Sequence, residues 1–111
     1  MATQSTADVQ DVYDRLAAEH LGTNGVTMGR ALSNDVLKIN NKIFAFVMGE
    51  RLVVKLPSAR CTSLLADGEA HPFSSGGRTM KEWVAVDLPP GKAGEKTWRA
   101  LMAAARAYVG G

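Results

Sequence analysis

The chain has 111 residues, 46% of them hydrophobic and 22% charged, with a net charge of +2. That length suits one domain with its own core, and that balance excludes a disordered chain of low hydrophobicity. The charge is too small to mark a nucleic-acid binder, and the single cysteine, Cys61, excludes an internal disulfide and a cysteine zinc cluster.

The N-terminal run MATQSTADVQDVYDRL has neither a basic start nor an apolar stretch, and no apolar run reaches membrane-spanning length. Neither a signal peptide nor a membrane span is expected. With a lone thiol, the expected location is the cytoplasm. Residues 1–21 hold four acids against one base (net −3), and the remainder holds twelve bases against seven acids (net +5). An acidic first helix on an ordinary surface accounts for that division.

Between Ala7 and Leu21 the residues Val9, Val12, Tyr13, Leu16 and His20 or Leu21 recur at helical spacing, with Ser5 or Thr6 as N-cap and Gly22 as terminator. The glycine-rich stretch from Gly22 to Gly29 is a turn leading into a strand. Extended segments follow at Asp35–Ile39, Lys42–Met48 and Leu52–Leu56. Asn40-Asn41 and Gly49-Glu50 between them can supply the positive φ of two-residue hairpin turns. Pro57 stops the third segment. Ser58 can cap a short helix with Cys61, Leu64 and Leu65 on one face, and Asp67-Gly68 ends it. A short extended segment at His71–Ser74, a turn at Ser75-Gly76-Gly77, and an alternating strand from Lys81 to Leu88 come next. The spacing of Trp98, Leu101, Met102, Ala105, Tyr108 and Val109 predicts a third helix over Glu95–Val109. With tight turns between strands and no β-helix-β repeat, the fold class is α+β, a mainly antiparallel sheet with helices packed on one face.

The residues point to no catalytic or metal chemistry. Gly22, Gly25 and Gly29 lack the spacing of a phosphate loop and follow a helix rather than a strand. Gly76-Gly77 before Arg78 suits a hairpin turn as well as an anion nest. His20 and His71 belong to no paired-histidine motif. Asp67, Glu69 and His71 alternate and would share one side if extended, but a solvated loop between helix and strand is the favoured reading. Cys61 falls on the apolar side of its helix, where a thiol is buried and inert. No serine sits in a nucleophile elbow, and the carboxylates are scattered singly. Trp83 and Trp98 each fit the apolar phase of their element, so core packing is favoured over a role as stacking platforms. The chain reads as a non-enzyme without metal or cofactor.

Hairpin register locates the candidate interaction surface. A two-residue turn at Gly49-Glu50 pairs Met48 with Arg51, Val47 with Leu52, Phe46 with Val53, Ala45 with Val54 and Phe44 with Lys55. One face is then aliphatic: Ile43, Ala45, Val47, Leu52, Val54 and Leu56. The other mixes Phe44, Phe46, Met48 and Val53 with Lys42, Arg51 and Lys55. Helices confined to one side leave this second face partly open, and Phe44, Phe46, Met48, Arg51 and Lys55 become a surface for a second copy or a ligand. In the alternative, the first or last helix crosses over and buries the Phe side.

The series NKIFAFV (Asn41 to Val47), LVVKLP (Leu52 to Pro57), a short helix, GGRTMKEWVAV (Gly76 to Val86) and a closing alanine-rich helix resembles the TfoX N-terminal-domain-like family. More distantly it is similar to MmcQ/YjbR-like proteins. The resemblance covers nearly all the chain after Gly25. It implies one domain over residues 1–111, bacterial, with the order helix, three strands, helix, two strands, helix. The family offers no agreed catalytic residues to carry over. The expected function is a non-enzymatic binding or protein-interaction module, a homodimer or bound to a protein partner. The alternative is a weak nucleic-acid-binding domain of regulatory role, as suggested for YjbR-like relatives.

Overall fold

A computed structural model describes residues 6–31, 34–48, 51–75, 77–88 and 92–110. In chain order the elements are α1 (Thr6–Leu21), β1 (Val26–Ala31), β2 (Asn34–Ile39), β3 (Lys42–Met48), β4 (Arg51–Lys55), α2 (Ser58–Ala66), β5 (His71–Ser75), β6 (Arg78–Asp87) and α3 (Lys92–Gly110). The strands form one antiparallel sheet in the order β1-β2-β3-β4-β6-β5. The architecture is α+β. Four strands rather than three precede α2, because the strand expected after the glycine-rich turn joins the sheet as its edge. α3 runs four residues further than expected: three at its start and one at its end.

Local chemistry explains the turns. Asn40 and Asn41 both take positive φ, 51° and 71°, as a two-residue hairpin with the right-handed twist requires, and Ile39 pairs with Lys42 across them. The Gly49-Glu50 turn lies outside the described residues, but the pairs Met48–Arg51, Val47–Leu52, Phe46–Val53 and Ala45–Val54 are those the register predicts. Pro57, not Ser58, holds the N-cap of α2, and its carbonyl accepts from the amides of Arg60 and Cys61. No side chain caps that end. At the other end Gly68 takes φ 73°, letting the amides of Gly68 and Glu69 turn back to the carbonyls of Leu65 and Leu64.

The main core lies between the sheet and the helices. α1 contributes Val9, Tyr13, Leu16 and Ala17, α2 Cys61 and Leu64, and α3 Trp98, Leu101, Met102 and Ala105. Beneath them lie Leu37, Leu52, Val54, Val84 and Val86 from the strands. α3 crosses β2, β3 and β4, α2 lies against β6, and α1 against β1. Trp98 is fully buried, and its indole Nε1–H donates to the Asp87 carbonyl at 3.1 Å. The acidic α1 faces bases of α3. Glu19 accepts two bonds from Arg99 at 3.1 and 2.8 Å, and Glu95 bridges Arg15 and Arg99. Thus part of the charge division along the chain is neutralised within the fold.

One irregularity decides which side chains face which way. Leu37 pairs with Ala45 and Lys38 with Ile43, which leaves Phe44 as an extra residue on β3. This β-bulge breaks the strict alternation assumed from the sequence. Phe44 and Ala45 both enter the main core, while Ile43 moves to the opposite face with Phe46. The expected Phe44–Lys55 pair is accordingly absent from the register.

Candidate binding surface

The other face of the sheet carries a separate, smaller cluster. Val36 from β2, Phe46 from β3, Val53 from β4 and Ala85 from β6 are buried in it, with Ile43, Phe73 and Trp83 half-buried around them. Among the described residues no helix contributes to it. Its lid is aromatic. Phe46 meets Phe73 nearly edge-on at a centroid distance of 5.9 Å and Trp83 at 5.9 Å, and Phe73 and Trp83 lie 6.2 Å apart.

The placement follows from the strands. Trp83 alternates with Val84 and Val86, whose side chains point to the helices, so it falls on the opposite side. Between Pro72 and Ser74 the β5–β6 register shifts, and Phe73 sits at that irregularity beside Trp83. The hairpin of β5 and β6 therefore closes the face with its own aromatics.

The five residues expected to form an interaction surface divide. Phe44 does not belong to it: it is fully buried under the helices, its ring edge-on to His20 at 5.7 Å. Phe46 lies on the expected face but is only 3% exposed, because Phe73 and Trp83 cover it. The burial that the alternative reading gave to a crossing helix is done by a hairpin. Met48 is 38% exposed, and Arg51 and Lys55 reach solvent. Sequence reasoning missed Phe73 and placed Trp83 in the core. The signal for Trp83 was present in its phase, since it cannot share a face with Val84 and Val86.

Charged groups ring the aromatic cluster. Lys55 lies with Nζ 6.0 Å from the Trp83 ring centre and 4.0 Å from Glu82 Oε1. Arg51 Nε donates to Asp87 Oδ1 at 2.8 Å, and His71 Nε2 lies 2.7 Å from Asp87 Oδ2. Hydrogen bonds from His71 and Arg51 hold the Asp87 carboxyl below the usual carboxylate range. Lys38 adds a further cation on β2, its side chain over Gly29, where a Cβ would lie 2.9 Å from Lys38 Cε. Among the described residues this face thus carries cations, Lys38, Arg51 and Lys55 among them, beside the carboxylate of Asp87.

Nucleophilic chemistry finds little support. Cys61 is buried, its thiol donates to the Leu56 carbonyl at 3.6 Å, and burial pushes its pKa up. His71 and Asp87 form a pair with the shape of a base and its orienting acid, but no hydroxyl or thiol among the described residues hydrogen-bonds to His71. Asp67 and Glu69 are exposed, while His71 turns to Asp87, so the alternating trio is not gathered into one site. Among the described residues no three His, Cys, Asp or Glu side chains come together as a metal-binding group, and no helix is long and apolar enough to cross a membrane.

Compared with known proteins, the chain matches no family model, no curated protein and no solved structure.

Proposed function

We propose that this chain is a non-enzymatic binding module of the cytoplasm whose contact surface is the helix-free face of the sheet, and that a second copy of the chain covers it. One observation carries the reading: two large aromatics, Phe73 and Trp83, remain only partly buried side by side on a face to which no described helix contributes. Aromatics left partly open to water and flanked by charged groups are the composition of interface centres and their rims. Arg51, Lys55 and Asp87 put both signs of charge on the face, which a copy related by a two-fold axis can match.

Light scattering on wild type and Phe73→Ser tests this reading. The expected result is a wild-type mass above the 11.8 kDa of one chain, and a variant that keeps its circular dichroism but sediments as a monomer. A wild type that stays at one chain's mass at high concentration removes self-association. Lys55 over the Trp83 ring, with Arg51 and Lys38 further off on the same face, favours a second reading, single-stranded nucleic acid stacked on Phe73 and Trp83. That binding weakens steeply with salt, so salt-independent or absent binding at low ionic strength removes it.

A further inference from the structure

A second concave feature lies on the helix-covered side, away from the aromatic face. Between α2 and α3, above Val86 of β6, runs a cleft of about 320 Å3, within the size of small-molecule sites. Leu64, Val86 and Leu101 line its apolar floor, and all three are already largely buried by the fold. Arg60 stands one turn before Leu64 on α2, and Lys96 stands one turn before Ala100 on α3. Each wall therefore carries a cation above an apolar side chain. Glu69, just after α2, completes the rim.

Among the described residues nothing engages the charges of this rim. Elsewhere on the surface arginines pair with carboxylates, as Arg15, Arg51 and Arg99 do. Arg60, Lys96 and Glu69 make no side-chain hydrogen bond or ion pair among the described residues. Two cations and one carboxylate leave the rim with one net positive charge over an apolar floor. We propose that this cleft binds a small apolar monocarboxylate, its hydrocarbon part on Leu64, Val86 and Leu101 and its carboxylate held by Arg60 and Lys96. Charge complementarity selects the anion, and the guanidinium of Arg60 can engage both carboxylate oxygens.

Methyl NMR of the whole chain, titrated with 3-phenylpropionate and with the uncharged 3-phenylpropan-1-ol, tests the proposal. The acid is expected to shift the methyl signals of Leu64, Val86 and Leu101, and the alcohol to bind about tenfold more weakly, the usual worth of a charged hydrogen bond. In the Arg60→Gln/Lys96→Gln double variant, whose substituted side chains are exposed and whose Tm should be unchanged, the acid falls to the alcohol's affinity. No shifts up to the solubility limit, shifts confined to other methyls, equal binding of acid and alcohol, or full binding by the double variant would each overturn it.

Discussion

On one side of the sheet Phe44 lies under α1 and α3, sealed among residues from three helices; on the other Phe46 is covered by Phe73 and Trp83, which are themselves only partly buried. The two phenylalanines are two positions apart on one strand. In a regular strand they would share a face, and the bulge at Phe44 separates them. A rigid, multi-layered core forms where helices supply apolar stripes. Where none arrives, a hairpin's own aromatics close the surface incompletely and leave apolar area in contact with water.

That contrast gives graded expectations. The largest effect is at the sealed side: Phe44→Ala should cost about 3–5 kcal/mol by urea denaturation, because helices on a sheet cannot collapse into the cavity. Phe46→Ala should cost less, about 2 kcal/mol, since the partly buried Phe73 and Trp83 can settle into the gap. Equal losses would break the distinction between the two faces.

A pH series sharpens the comparison at the sealed side. His20 is buried against Phe44, with its Nδ1 3.2 Å from Arg106 Nη1, and that guanidinium also donates to Thr23 at 3.0 Å. Burial first, and the Arg106 charge second, lower its pKa below the ordinary value. The unfolded chain therefore takes up the proton more readily than the folded one. The stability His20 contributes is complete above the unfolded value of about 6.5, and it is lost as pH falls from there through the depressed folded value. The urea midpoint of wild type should drop between pH 7.5 and 5.5, and that of His20→Gln should drop less. Parallel curves would show that His20 is not shielded as described.

Smaller effects belong to the open side. Phe73→Ser should cost about 1 kcal/mol, because its ring is only partly buried and its loss opens no sealed cavity. Arg51→Gln removes an exposed partner of Asp87 and should change stability by less than about 1 kcal/mol, read as a shift of a few degrees in Tm. A large loss from either would mean that the face is a structural core rather than a contact surface.

Much of the fold was legible because its signals are local. The Asn40-Asn41 turn, the Gly68 terminus of α2 and the apolar stripe of α3 are each written within a few residues. The register of β3 on β4 followed from turn length and was found for four pairs. The candidate surface was harder. Phe44 was misplaced because a bulge is set by how β3 meets β2, and the KIFAFV run shows no glycine to mark it. Phe73 was overlooked because its role depends on the bend of β5 against β6, a long-range feature with no periodic trace.

The two tryptophans allow the most direct test. Trp98 is sealed, with its indole N–H bonded to the Asp87 carbonyl, whereas Trp83 lies on the open face beneath Lys55. In wild-type protein the two indole N–H signals can be followed by NMR as the concentration is raised. With self-association through the open face, the Trp83 signal should move or broaden while that of Trp98 stays fixed. Two signals indifferent to concentration, or a Trp98 signal that moves while Trp83 does not, would contradict it.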